Sequence, residues 1–208
     1  MTEFHDETDP RTASVTIWLD PVCPFSWNTA RWLVKASDAV GFEIDWQLAS
    51  LAILNEGREL PPQQQARMSD SRRIGRLMAA VRRETGSAGL SAGYFTFGEH
   101  YFDQSPGVVD DDLVTKVLTS ANAGGVSASA LTDSSLDELV ATSHACGQTA
   151  LGETGGSPIV SVGGHAFFGP VLTSVPTDDQ TAPLFTALAT LAATSSFTQL
   201  QRPRPAHD

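Results

Sequence analysis

A chain of 208 residues, 41% of them hydrophobic and 18% charged, has the composition of one globular domain rather than of a disordered segment. Thirteen basic residues against 24 acidic ones leave a net charge of -11, which argues against a nucleic-acid partner and against an anionic membrane surface. Two cysteines, Cys23 and Cys146, are too few for a disulfide framework or a four-cysteine zinc site, and no cluster of histidines and carboxylates has metal-ligand spacing.

Residues 1–13 are acidic and polar and read as a flexible leader without the apolar core of a secretory signal. No stretch approaches the roughly 18 apolar residues of a membrane span, so the expected location is cytoplasmic, where thiols stay reduced. Val15 to Leu19 alternates and is rich in β-branched residues, which predicts a strand ending at Asp20-Pro21. Pro24 then suits the first turn of a helix, with Trp27, Ala30, Leu33 and Val34 at helical spacing and Gly41 at the exit. Phe42 to Leu48 alternates again, so strand, helix and strand form a βαβ unit with a parallel pair.

From Pro61 to about Leu151 the pattern is helical. Pro61-Pro62 opens a helix with Ile74, Leu77, Met78 and Val81 on its apolar face, and Gly86 is expected to close it. A second helical stretch falls at Tyr94 to Phe102. A third runs from its Asp110 cap to Asn122, before Gly124-Gly125. A fourth spans Ser135 to Thr149, with Leu136, Leu139, Val140 and Cys146 assigned to one buried face and His144 pointing away. Strands return at Pro158 to Val162 and His165 to Phe168 around the hairpin dipeptide Gly163-Gly164, followed by a helix over Asp179 to Ala193. Six of the eleven arginines, Arg67, Arg72, Arg73, Arg76, Arg82 and Arg83, crowd the first of the helices after Pro61. They read as a solvated face paired with acids, or as a cationic wall for an anionic ligand.

The chemistry concentrates at Asp20-Pro-Val-Cys-Pro-Phe-Ser-Trp27. A cysteine between a strand and a helix start meets free backbone N–H groups and the positive end of the helix dipole, so Cys23 is expected to titrate below the free-thiol value of about 8.5. Ser26, three residues on, can donate to the Cys23 sulfur or to a cofactor sulfur, or is simply a polar first-turn residue. Asn55 either points an amide into the site or caps a loop. Ser157-Pro158 precedes a predicted buried strand, the kind of tight turn where cis proline occurs.

Four segments together resemble the actinobacterial mycothiol-dependent nitroreductase family within the DsbA-like group: residues 20–27, Arg31-Trp32, residues 50–56 (Ser-Leu-Ala-Ile-Leu-Asn-Glu), and residues 166–172 (Ala-Phe-Phe-Gly-Pro-Val-Leu). The resemblance implies an α/β thioredoxin-like fold with a helical insertion. Its first half would span 14–60, the insertion 61–151, the second half 152–200 and a flexible tail 201–208. It implies Cys23 as the catalytic thiol with Ser26 beside it and a cis Pro158 against the sulfur. Pro24, Phe25, Trp27, Asn55, Ser157 and Pro158 would form the substrate- or thiol-binding wall. The implied cofactor is a low-molecular-weight thiol, mycothiol, without a metal. The implied partners are that thiol, a disulfide or electrophilic small molecule and a glutaredoxin-like reductant.

One position departs from the family. Its motif is Cys-Pro-Trp-Cys, whereas here Ser26 stands in place of the second cysteine and Phe25 in place of the tryptophan. Without a resolving thiol, Cys23 cannot close an intramolecular disulfide. The substitution speaks for a thiol-dependent oxidoreductase acting through Cys23 alone. The alternatives are a thiol-cofactor-dependent transferase or isomerase using Ser26, of the kappa-class glutathione transferase or 2-hydroxychromene-2-carboxylate isomerase type, and a non-catalytic binding module.

Overall fold

The computed structural model describes residues 14–203. The expected leader 1–13 and the tail from residue 204 lie outside them. β1 (Val15–Leu19) runs into α1 (Pro24–Val40), which leads to β2 (Ile44–Leu48). Gly41, at φ 92°, ends α1 in the left-handed conformation that a side chain would disfavour. Helices α2 (Leu51–Leu54), α3 (Pro62–Gly98), α4 (Asp111–Ser120) and α5 (Asp137–Leu151) follow, then β3 (Ile159–Val162), β4 (His165–Phe168) and α6 (Asp178–Ala193). The sheet order is β2-β1-β3-β4, with β1 and β2 parallel and the other pairs antiparallel. Gly163 and Gly164 both have positive φ, 59° and 83°, as the tight β3–β4 hairpin requires. This is the thioredoxin-like sheet with helices inserted between β2 and β3.

One expectation about the helices holds and another needs correction. Gly86 breaks the helical run over Pro62–Gly98 as expected: it adopts φ 74° and ψ -163°, a non-helical conformation open to glycine, so two helices meet at a kink there, and the second runs through Gly98 into a π-turn at Glu99–Gln104. Two short 3-10 turns, Ala128–Leu131 and Ser134–Leu136, carry the chain from α4 to α5. The face of α5 is different. Val140, His144 and Gly147 are buried, while Cys146 and Leu139 are exposed. Gly147 decides the matter: a Cβ there would lie 2.8 Å from the Trp18 ring, so the bare backbone is where β1 can meet α5.

The main core collects Ile17, Leu19, Leu33 and Trp32 with Phe185 of α6 and Leu77, Met78 and Phe97 of α3. Phe42 stacks on Phe185 at 4.1 Å between ring centroids. Side chains of α3 and α5 cover the open edge of β2. Ser87 accepts the Trp46 N–H at 2.7 Å, Arg82 donates to the Trp46 carbonyl at 3.1 Å, and Ser143 accepts the Leu48 N–H at 2.9 Å. An edge strand inside a protein needs such partners, since its N–H and C=O groups are otherwise stranded. The arginines of α3 are spent partly on this edge and partly on acids. Arg76 holds Asp137 through two bonds, 2.6 and 2.8 Å, and Arg73 pairs with Asp70 at 3.3 Å.

Trp27 of α1 is wedged against α3. It meets Tyr94 and Phe95 and stacks on Phe102, and a Cβ on Gly98 would come within 2.4 Å of its ring. Gly98→Ala is expected to destabilise the fold by about 1–3 kcal/mol, the cost of overpacking a closed core. At Gly75 the same substitution meets only Val140, at 3.7 Å, and is expected to be neutral or stabilising by up to about 1 kcal/mol. Urea unfolding of both variants checks the contrast, and equal effects would remove the close-approach argument.

Candidate active site

Strand β1 delivers Asp20 to the interior, where it is fully buried. Its carboxyl accepts the Val22 N–H at 2.9 Å, the Leu51 N–H at 2.6 Å and the hydroxyl of Ser71. These bonds fold the loop from Asp20 to Cys23 and tie it to the start of α2 and to α3. Cys23 is the N-cap of α1. Its own N–H bonds the Asp20 carbonyl at 3.1 Å, and the Trp27 N–H bonds the Cys23 carbonyl at 3.0 Å. Pro24 occupies the first helical position, where its missing N–H costs nothing.

The other half of the site comes from the loop before β3. The Ser157–Pro158 bond is cis, as is Gly169–Pro170. The Cys23 thiol donates to the Ser157 carbonyl at 3.2 Å. The Ser157 hydroxyl accepts the Asp20 N–H at 2.7 Å and lies 2.7 Å from the Ser26 hydroxyl. Because Ser157 Oγ already receives a proton from Asp20, it is free to donate to Ser26 Oγ. Ser26 can then turn its own proton toward the Cys23 sulfur, which it approaches as a hydrogen-bond donor. The Asp20 N–H and the two hydroxyls thus form a connected cluster beside the thiol, in which either hydroxyl can donate to the other.

The acidity of Cys23 differs from the expectation. Burial pushes the thiol up, above its ordinary range, and the nearby Asp20 carboxylate adds to this. Donors from Ser26 and from the Phe25 and Ser26 backbone act the other way without reversing the sign. Only 3% of the residue is exposed, so the loss of hydration outweighs the helix N-terminus. Asp20 is also raised by burial, partly offset by its three donors.

Cys23, Pro24, Ser26, Ser157 and Pro158 meet at one point, with half-buried Phe25 beside them. Trp27 is buried in the α1–α3 core, and the guanidinium of Arg31 lies over its ring at 4.7 Å. Asn55 caps α2: its amide donates to the Leu51 carbonyl at 2.8 Å, and it makes no hydrogen bond to Cys23 or Ser157. Cys146 is exposed on α5 and is not the core residue expected of it. His144 takes that place, is held neutral by burial, and accepts the Ser50 N–H at 3.2 Å. Asp20 and Ser71 escape a motif search because their role is purely tertiary. The available signal was a carboxylate placed at the end of an otherwise apolar strand. Among the described residues no group of three or more His, Cys, Asp or Glu could hold a metal ion, and no helix is long and apolar enough to cross a membrane.

A family model described as Rv2466c-like, mycothiol-dependent nitroreductase Rv2466c, matches residues 22–202. An uncharacterized protein of Mycobacterium tuberculosis, Rv2286c, is 28% identical over 202 residues, covering 94% of this chain and 84% of its own. Among solved structures, a 2-hydroxychromene-2-carboxylate isomerase aligns with TM-score 0.56 and 16% identity, over 85% of this chain and 95% of that one. A putative protein-disulfide isomerase from Pseudomonas syringae aligns with TM-score 0.52 and 16% identity, over 86% and 98%. These two likenesses establish the shared fold.

The raised thiol carries a pH signature. A folded-state value above the unfolded one means the folded chain keeps a proton that the unfolded chain has lost. The stabilising contribution is therefore complete below the unfolded value and declines as pH rises through the folded one. Urea midpoints are expected to fall from about pH 8.5 upward. Cys23→Ala should flatten that part of the profile. A native profile that rises over this window contradicts the assignment.

Proposed function

The chain belongs to the Rv2466c-like, mycothiol-dependent nitroreductase family, and from that premise we propose that it is a monothiol oxidoreductase working through Cys23 with mycothiol as reductant. The observation that carries the reading is the junction itself. Cys23 stands at a helix N-terminus against the Ser157 carbonyl, with a hydroxyl, Ser26, where the family's motif has its second thiol.

The chemistry follows from having one thiol. The Cys23 thiolate attacks one sulfur of a disulfide, a new S–S bond forms, and the other sulfur leaves as a thiolate. A serine hydroxyl is scarcely ionised at neutral pH, so Ser26 cannot resolve the mixed disulfide. An external thiol must attack it, releasing Cys23 as thiolate and carrying away the second sulfur. Mycothiol, or a glutaredoxin-like protein, fills that role in this reading, and the setting is the cytoplasm. Release of charge from the buried thiol needs help, and the Ser26 hydroxyl, held by Ser157, is the side-chain donor that favours the thiolate.

Incubation with oxidised mycothiol is expected to add one mycothiol to Cys23, read as the mass of the intact protein. Cys23→Ser should lower turnover at least a hundredfold, and Cys146→Ser should leave it unchanged. Ser26→Cys should install a second thiol on the first turn and make release of the adduct independent of added thiol. Fast turnover of the native chain without any added thiol and without an adduct would refute the monothiol reading.

A further inference from the structure

Three serines of the inserted helices each accept a backbone N–H from β2 or the turn after it. Ser87 takes that of Trp46, Ser143 that of Leu48, and Ser71 that of Ala52 at 3.1 Å. The first two serve the β2 edge. Ser71 differs in where its own proton goes. A hydroxyl has one proton to give, and with the Ala52 amide occupying a lone pair, Ser71 gives it to the Asp20 carboxyl. Both residues are buried.

Asp20 in turn holds the thiol from two sides. Its carbonyl accepts the Cys23 N–H at 3.1 Å, and its own N–H goes to the hydroxyl of Ser157, whose carbonyl accepts the thiol at 3.2 Å. Of the three donors to the carboxyl, the Val22 and Leu51 amides belong to the backbone and survive any change of side chain. Ser71 is the donor that depends on residue type, and it comes from α3, 51 positions along the chain. The titratable groups that face Asp20 and Cys23 from the insertion are Tyr94 and Tyr101, whose raised phenols keep their protons, and Arg67, an exposed cation of α3.

We propose that Ser71 is a positioning residue for Cys23: through the Asp20 carboxyl it fixes the loop that keeps the thiol closed in and held against the Ser157 carbonyl. The inference rests on Cys23 being the reacting group. Without the Ser71 hydroxyl the carboxyl keeps two of its three donors, and a buried acid short of a donor takes up a proton or draws in water. Each response frees the thiolate. A neutral Asp20 no longer repels it, and a hydrated loop returns the solvation that burial removes. The two effects have the same sign, so the inserted helix holds Cys23 in its guarded resting state through a single hydroxyl.

The test is the pH profile of Cys23 alkylation by iodoacetamide, followed by intact mass in a Cys146→Ser background so that one thiol reacts. Ser71→Ala is expected to alkylate about tenfold faster at neutral pH, with the midpoint of its profile moved down by about one pH unit. Ser71→Thr, which keeps the hydroxyl, should return the profile to the native one. Ser87→Ala removes the acceptor of the Trp46 N–H without touching Asp20, so it should lower the urea midpoint and leave the profile unchanged. An unchanged profile in Ser71→Ala, or the same acceleration in Ser87→Ala, overturns the proposal. In the native fold, the Leu51 and Ala52 amide signals should move when Cys23 is alkylated, while that of Trp46 stays. Stationary Leu51 and Ala52 signals overturn the proposal even if Ser71→Ala fails to fold. Hydroxyethyl disulfide separates this role from the activity: a chain that alkylates as expected yet forms no mixed disulfide refutes the oxidoreductase reading and upholds the role of Ser71.

Discussion

The carboxyl of Asp20 is the point on which the site depends. It is buried, and it is held by the Val22 and Leu51 amides and the Ser71 hydroxyl. An acid in that setting is tolerated only while its donors stay in place. The three donors belong to the Cys23 loop, the start of α2 and the long helix α3. Satisfying one carboxylate therefore fixes the position of the thiol relative to both the sheet and the inserted helices. The Asp20 amide reaches in the other direction, to Ser157, and brings the loop before β3 into the same web.

Two opposing effects set the state of Cys23. A helix N-terminus contributes on the order of 0.3–1 kcal/mol in favour of negative charge, and a few aligned donors add to it. Complete burial disfavours the thiolate more strongly, and a neighbouring carboxylate does so again. The resting site therefore holds a thiol that donates to the Ser157 carbonyl. Reactivity in such a site depends on what the substrate brings with it and on the donors that await the developing charge. That places weight on the hydroxyls of Ser26 and Ser157 rather than on a pre-formed thiolate.

The inserted helices do structural work beyond packing against Trp27. α3 and α5 complete the hydrogen bonding of the β2 edge through Arg82, Ser87 and Ser143, which removes an open strand from the surface. The break at Gly86 lets the two halves of α3 take different directions, so that together they serve both that edge and the wall around Trp27. Small residues at Gly98 and Gly147 permit these approaches, because each faces an indole ring at a distance that excludes a Cβ.

The sequence by itself determined the strands, the first helix, the hairpin and the place of Cys23, since these rest on local rules: period-two alternation, proline at a helix start, paired glycines in a tight turn. The resemblance of four short blocks also made the family and the cis Ser157–Pro158 bond legible. What the tertiary structure decided concerns burial and partners. Helical spacing on α5 put Cys146 on the buried face and His144 away from it, and the approach of Gly147 to Trp18 reverses that order. Likewise the acidity of Cys23 depends on how completely its neighbours exclude water, and the donors to Asp20 come from residues 2, 31 and 51 positions away. A local motif reports the dipole a residue meets. Desolvation and long-range hydrogen bonds exist only once distant segments have closed around it.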